Sequence, residues 1–395
     1  MDAKPSTPEG GDFSLVLGGP LYQLLVRAKL IKPPLNRVGR RMAIISAVAW
    51  VPVAILTLVG GRFAGGVGIP FIRDFEVHVR LLGMLPLLIL AELVINARVS
   101  TIVEEFVDRR IVTSGQLGRY RDILGSAVRL RNSIPAEVIL AVLVFGVGHL
   151  IWQKSFSLDA STWYATVSPA GTSYTPAGTW YAYVSVPIVQ FILLRWYFRL
   201  FIWWQYLWRV SRLDLHLVPT HPDRAGGLEF LAAVVFALAP FLVAHSGLVA
   251  GYIANRILYQ GAKLPEFKLE LAGMALWLNL ITLGPLFLFG PRLNRARMGG
   301  LRLYGRLAND YVQAFEKKWI TGPEPEADGL LGSGDIQSLA DLANSFQVVQ
   351  GMRMMPFGKE AVIRLNVIIF LPILPLLLTM IPAEELLERL VKIVL

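Results

Sequence analysis

Seven stretches of the chain are apolar, and polar segments separate them. A membrane-spanning helix needs about 20 mostly apolar residues. The predicted spans are residues 42–60, 79–98, 134–153, 184–207, 228–256, 270–291 and 361–382. Pro240 lies inside the fifth, while Pro372, Pro375 and Pro382 predict a kinked or partly re-entrant seventh. The pattern therefore predicts an all-α fold, a polytopic transmembrane helix bundle with cytoplasmic helical extensions.

This pattern also divides the chain into four regions. They are a cytoplasmic N-terminal tail with an interfacial helix (1–41), a bundle of spans one to six (42–291) that includes a cytoplasmic helical hairpin (99–133), a cytoplasmic helical segment (292–360), and the seventh span with an outer amphipathic helix (361–395).

Composition agrees with a membrane location. The chain is 54% hydrophobic and 17% charged, whereas soluble domains average about 25% charged residues. It has no cysteine, which excludes disulfides, thiolate metal sites and a cysteine nucleophile. The net charge of +10 is spread over loops and forms no single basic stripe, so no nucleic acid is predicted as a partner.

The distribution of lysine and arginine predicts the orientation. With the N-terminus inside, the inner segments 1–41, 98–133, 208–226 and 292–360 carry 7, 7, 3 and 9 basic residues, 26 in all, and the outer segments carry 9. Short loops rich in lysine and arginine stay in the cytoplasm. We therefore expect a cytoplasmic N-terminus.

Four polar residues fall inside predicted spans at matching depth. Glu92 on span two and Arg195 on span four lie within about 3 Å of equal depth, because both helices run in the same direction. Asn96 and Arg199 follow one turn later on the same faces. If the helices are adjacent, these residues form an intramembrane polar layer near mid-membrane. It is either a structural ion pair or part of a solute or ion pathway.

The segment RLDLHLVPTHPDRAGGLEFL, which joins spans four and five, is rich in directing residues. Its candidate site comprises Asp214, His216, His221, Asp223 and Arg224. Pro222 suits the first turn of a helix that Thr220 or His221 would cap. Three interpretations stay open: a capped and ordered loop, an anion or headgroup site with Arg224, and a metal site whose spacing matches no standard signature.

Three further polar residues lie within spans. His149 and His245 fall at similar depth and are either packed, hydrogen-bonded side chains, haem ligands or proton relays. Asn279 in span six is predicted to hydrogen-bond to a neighbouring helix.

The strings LVPTHPDRAGGL and DIQSLADLANSFQVV, together with RARMGGLRLYGRLANDYV, resemble an uncharacterised family of bacterial multi-pass membrane proteins. The likeness runs from about residue 205 to the C-terminus and more loosely over the earlier spans. It implies a bacterial inner-membrane location and brings no activity or active site with it.

Three function classes remain open. A channel or transporter for an ion or small solute is favoured by buried polar groups and proline-broken helices. A scaffold, sensor or partner subunit is favoured by the cytoplasmic helices, and a haem- or metal-dependent enzyme would need the histidines. The chain lacks the P-loop, dinucleotide-binding, HExxH and GxSxG motifs, so no cofactor is predicted and an enzyme is disfavoured. The expected partners are the bilayer, the solute, and a second copy or another membrane protein.

Overall fold

The computed structural model describes residues 13–29, 37–148, 150, 162–168, 171–322 and 333–380. Its helices are α1 Pro20–Arg27, α2 Val38–Val59, α3 Phe75–Asp108, α4 Ser114–Arg131, α5 Ile134–Gly148, α6 Pro176–Val210, α7 Ala239–Gln260, α8 Lys268–Leu283, α9 Gly290–Trp319, α10 Gly334–Gln350 and α11 Lys359–Phe370. A two-stranded antiparallel sheet pairs β1 Ala165–Ser168 with β2 Gly171–Tyr174. The predicted all-α class is confirmed, since this hairpin is small beside the helices.

Within the described residues, five helical segments are long and apolar enough to cross a membrane. The number rises to seven if each of two bent pairs counts as one span: α4 with α5, and α11 with the 3₁₀ helix Leu374–Met380. Large apolar side chains cover the outside of the bundle, and Leu58, Val142 and Leu276 are 65%, 65% and 72% exposed. Such a surface would favour aggregation in water and suits contact with lipid.

Prolines break the helices of spans five and seven. Helix α11 bends by 60° before the 3₁₀ helix, so the predicted kink in span seven is confirmed. The continuous fifth span predicted from residue 228 is wrong in its first third. A 3₁₀ turn (Glu229–Ala233) and a short helix (Val234–Ala237) precede α7, which has Pro240 in its first turn. Proline lacks an N–H donor, so it begins a helix more readily than it continues one.

The loops gather at two ends of the bundle. At one end, which we call the basic end, residues 109–113 meet residues 211–228. Val112 pairs there with Leu215, and the N–H of His216 donates to the carbonyl of Ile111. At the far end, residues 60–74 meet the hairpin region, where Ile69 pairs with Thr162. Helix α3 runs from the far end to the basic end, which lets it connect the polar groups described below.

The predicted helical hairpin 99–133 is present as the last part of α3 and α4. Tyr120 on α4 donates to the carbonyl of Val103 on α3 (2.7 Å), and its hydroxyl lies 2.8 Å from that of Tyr206 on α6. All three residues are part of a core that extends into α7 and α8. This packing fixes α3 against α6, the two helices that carry the predicted polar layer.

Candidate functional site: a buried arginine–carboxylate layer

Glu92 on α3 lies at the centre of a charged layer. One of its oxygens, Oε1, is 2.8 Å from Nη2 of Arg199 and 3.5 Å from Nη1 of Arg195, both on α6. The three side chains are 11%, 4% and 7% exposed. The predicted proximity of Glu92 to Arg195 and Arg199 is confirmed. Arg199 also lies over the ring of Trp196, 4.7 Å from its centroid, which holds the guanidinium in place.

Arg41 near the start of α2 completes the layer. Its Nη2 lies 2.6 Å from Oε2 of Glu92, and its side chain is 2% exposed. Its Nε and Nη1 have no hydrogen-bond partner among the described residues. A buried donor without a partner loses the hydrogen bonds that water would give it. Arg41 is not among the predicted site residues, because it lies one position before the predicted first span and belongs by sequence to the basic tail.

Glu137 near the start of α5 is the second carboxylate of the layer. Its Oε1 lies 3.3 Å from Nε of Arg195, and its Oε2 accepts a hydrogen bond from the backbone N–H of Leu21 at 2.7 Å. Pro135 and Ser133 explain its position, since Ser133 caps α5 through the N–H of Ala136. Glu137 lies inside a predicted span, so the rule that drew attention to Glu92 could have identified it too.

The N-terminal segment closes one side of the layer. Phe13 and Val16 are each 1% exposed, and Ser14 donates to Oδ1 of Asn96. Asn96 therefore bonds to this segment, and among the described residues no hydrogen bond joins its side chain to an arginine of the layer. Gly19 has φ = +89°, and a Cβ there would lie 2.9 Å from Oε1 of Glu137. Glycine is needed both for this conformation and for the close approach.

The layer carries more positive than negative charge. Among the residues that the structure describes, three arginines (Arg41, Arg195 and Arg199) face two carboxylates (Glu92 and Glu137), a formal excess of one positive charge. A cavity of about 30 Å³ lies among these residues, lined by all of them except Glu137 and by apolar side chains. A water molecule needs about 10–15 Å³ of such cavity space. The cavity therefore has room for one small anion or the two oxygens of a carboxylate.

The depth of the layer differs from the sequence expectation. Arg41 is roughly 18 residues from Val59, the last residue of α2, so it lies about 27 Å from the far end of that helix. The hydrocarbon core of a bilayer is about 30 Å thick. If α2 spans the bilayer, the layer lies near its edge at the basic end rather than at mid-membrane. Charge costs less there than at the centre.

A second polar cluster lies at the far end. Asp74 accepts hydrogen bonds from Nε1 of Trp163 (2.7 Å) and Nδ2 of Asn255 (2.8 Å), beside a cavity of about 50 Å³. Between this cluster and Glu92, α3 presents Leu81, Leu85 and Leu88, each 0% exposed. A packed apolar zone therefore separates the two polar clusters along α3. The residues of this cluster are not among the sites predicted from the sequence.

The predicted loop site is built around Asp223. Its carboxylate accepts backbone N–H bonds from Ala225 (2.7 Å), Gly227 (3.2 Å) and Glu229 (3.1 Å), and Oδ1 lies 2.8 Å from Nδ1 of His221. Burial opposes ionisation, but these bonds lower the pKa of Asp223 below its usual value. Of the three interpretations of this loop, these bonds favour the capped and ordered one. A helix start at Pro222 is wrong, because residues 222–228 form turns and Asp223 caps them instead.

The other residues of this loop do not converge on one point. Asp214 is 85% exposed and lies 3.7 Å from Arg292, while His216 is exposed. Arg224 has φ = +54°, and its carbonyl accepts the N–H of Arg353 at 2.7 Å. Nη2 of Arg353 also reaches the carbonyl of Asp223 at 2.6 Å. The loop is thus tied to the segment after α10. In the described part of the chain, no three His, Asp or Glu side chains come close enough to hold a metal ion.

The remaining polar residues of the spans are placed as follows. His149 lies outside the described residues. Nδ1 of His245 is 3.2 Å from the hydroxyl of Tyr197, as expected for a packed histidine. Asn279 donates to Oδ1 of Asn366 on α11 at 3.1 Å, which confirms its predicted contact with another helix.

The helices and this layer define the class of protein: a multi-pass helical membrane protein with a buried, positively charged arginine–carboxylate layer. No family model matches the chain, and no curated protein or solved structure matches it either. The family resemblance drawn from the sequence strings therefore stays a prediction.

Proposed function

We propose that this chain is an anion transporter that binds its substrate at the layer formed by Arg41, Glu92, Glu137, Arg195 and Arg199. The observation that carries the proposal is the excess positive charge next to a cavity, with two donors of Arg41 left without a partner among the described residues. A purely structural ion pair would gain nothing from this excess. An anion would accept hydrogen bonds from the unpaired N–H groups of Arg41 and neutralise the excess charge of the layer.

The apolar zone of Leu81, Leu85 and Leu88 favours a carrier in a closed conformation rather than an open pore. A continuous channel would need polar groups or water along its length. A carrier instead exposes one binding site to each side in turn, and the proline-broken helices of spans five and seven offer places where such a movement can occur. The far-end cluster around Asp74 would then lie on the exit path.

In the proposed orientation, the protein lies in the bacterial inner membrane with its basic end on the cytoplasmic side. The lysine and arginine count of 26 inside against 9 outside supports it. In this orientation, the layer lies close to the cytoplasmic surface. A hydrated anion would reach it after moving only a short distance into the bilayer.

Chloride exchange tests the proposal, because chloride fits the cavity and crosses lipid slowly. Purified full-length protein in phosphatidylcholine liposomes should exchange radiolabelled chloride or nitrate faster than empty liposomes. Arg41→Gln should lower this rate at least tenfold. The matched control is Arg109→Gln, which removes an arginine 41% exposed and paired with Glu105 one turn away on α3. Equal rates for Arg41→Gln and the wild type would contradict the proposal.

The second candidate is a scaffold or sensor, and the α9–α10 hairpin favours it. Asp335 ties the two helices together by accepting from Nζ of Lys318 (2.8 Å) and Nε1 of Trp319 (2.9 Å). On α9, Leu303 and Leu307 are 68% and 51% exposed one helical turn apart. They form an apolar stripe that a partner could cover. Loss of partner binding in Leu303→Asp, with chloride exchange absent in the wild type, would favour this alternative.

A further inference from the structure

An apolar groove opens from the lipid side towards the arginine layer. It has a volume of about 470 Å³ and lies between α1, α2, α5 and α6. Of its twelve lining residues, only Tyr183 carries a polar group. Phe145, Tyr183 and Val48 on its rim are 61%, 49% and 44% exposed, so the groove is open to the surroundings of the bundle.

The groove and the layer's cavity share walls. Leu21, Leu25, Ile45 and Ile192 line both. A molecule lying in the groove could therefore place one end against Arg41 without leaving the protein surface. The junction combines an apolar channel with a small cationic pocket, and few ligands match both.

The cavity and the groove lie at the depths that the headgroup and the acyl chain of a membrane lipid would occupy. Arg41 lies near the membrane edge, whereas Ile45 and Val48 lie about 6 and 10 Å further along α2 towards the middle of the bilayer. A membrane lipid has its headgroup at the edge and its chain towards the middle. Helix α1 lies over the junction, since the N–H of Leu21 is bound to Glu137.

We infer that the substrate is an anionic amphiphile of the fatty-acid type, whose acyl chain lies in the groove and whose carboxylate is held by Arg41 and its neighbours. This inference rests on the proposed anion site and adds the chemical class of its ligand. Charge complementarity selects the anion, because the layer has one excess positive charge and donors of Arg41 without partners in the described chain. The cavity of about 30 Å³ limits the headgroup to a small one.

The acyl chain of the ligand would enter the groove from the membrane and not from water. A lipid tail is already in an apolar phase, so moving it into the groove yields little hydrophobic free energy. Recognition must come from the headgroup and from the shape of the groove. A variant that fills the groove therefore separates this model from simple partition into lipid.

The test uses radiolabelled dodecanoate and the full-length protein in phosphatidylcholine nanodiscs. Val48→Trp fills the rim of the groove from α2, and Ile188→Trp fills it from α6. Both should weaken dodecanoate binding at least tenfold and leave the chloride dependence of thermal stability unchanged. The matched control is Leu276→Trp, another lipid-facing substitution, at a side chain 72% exposed on α8 and away from the groove. It should bind dodecanoate like the wild type.

Dodecanol provides the complementary comparison, since it has the same chain without the negative charge. It should compete with dodecanoate at least tenfold less well than unlabelled dodecanoate does. Arg41→Gln should remove this preference, and Arg41→Lys should restore part of it.

Two results would overturn the inference, and they differ from each other. If both groove-filling variants bind dodecanoate like the wild type, the ligand does not lie in the groove, and the anion site alone remains. If Arg41→Gln changes neither dodecanoate binding nor the response to chloride, the anion site itself is wrong and the inference falls with it. Since Val48 lies on the rim and is 44% exposed, its variant should fold even if Ile188→Trp does not.

Discussion

Replacing Glu92 with glutamine would remove the carboxylate that three arginines share. Its oxygens lie 2.6 Å from Arg41, 2.8 Å from Arg199 and 3.5 Å from Arg195. Among the described ion pairs, Glu137 is then the last carboxylate that faces these cations. Leaving a buried charge uncompensated costs about 3–5 kcal/mol. We expect the free energy of unfolding of Glu92→Gln to fall by about that amount.

Combining Glu92→Gln with Arg41→Gln tests whether the loss of stability comes from uncompensated positive charge. Alone, Arg41→Gln leaves Glu92 paired with Arg195 and Arg199, so we expect it to cost only about 1–2 kcal/mol for lost hydrogen bonds. In the double variant, one of the unbalanced cations is absent as well. Its loss of stability should be smaller than the sum of the single losses, with a coupling of about 2 kcal/mol.

Unfolding by sodium dodecyl sulfate in mixed micelles, followed by circular dichroism, measures these free energies. The matched control is the pair of Glu105 and Arg109, i,i+4 neighbours at the C-terminal end of α3 that are 29% and 41% exposed. Its coupling should not exceed about 0.5 kcal/mol. If the Glu92 and Arg41 substitutions add within about 0.5 kcal/mol, the shared buried layer does not stabilise the fold as argued.

Three other predictions concern the segments around the layer. Gly19→Ala should destabilise the docking of α1 by more than about 1 kcal/mol, because φ is +89° there, and trypsin should cleave near α1 faster than in Gly39→Ala, where a Cβ meets nothing within 4 Å. Asp223→Asn should lower the free energy of unfolding by about 1–2 kcal/mol at pH 7. Because the pKa of Asp223 is lowered in the folded protein, thermal melts should show this difference from the wild type above about pH 4, and it should vanish as the pH falls through the lowered pKa. The cysteine-free chain permits clean labelling, so Ser173→Cys should react with an impermeant reagent from outside and Asp310→Cys only after lysis; the reverse would contradict the orientation.

The charged layer was predictable where two signals coincided and not where either was missing. Glu92 and Arg195 were recognised because both are ionisable and both lie well inside apolar stretches. Arg41 was missed because it adjoins the apolar stretch without interrupting it, and a one-residue shift of a span boundary hides such a residue. Glu137 lies within a predicted span, but in its first turn, where a carboxylate normally complements the helix dipole.

The N-terminal segment shows a different limit of sequence reasoning. Residues 13–19 form a short segment that ends in two glycines and has no helical period, so their pattern predicts no helix or strand, although Phe13, Leu15, Val16 and Leu17 are apolar. Yet Phe13 and Val16 are 1% exposed because they fill space beneath α3 and α6. Their position depends on long-range contacts such as that of Ser14 with Asn96, which only the folded chain brings together. Irregular segments of this kind gain their structure from the surface that they cover.

The imbalance of charge in the layer argues against an interpretation as a simple structural lock. A charge-balanced lock between helices would pair each arginine with a carboxylate, and replacing a buried set of ion pairs by apolar residues is often neutral or stabilising. Here the third arginine, Arg41, adds a buried cation with two donors that lack partners in the described chain. Buried donors without partners cost stability unless something else accepts their hydrogen bonds. The layer therefore makes physical sense when an anion occupies the cavity, and the apolar groove that leads to it points to an anion that comes from the membrane.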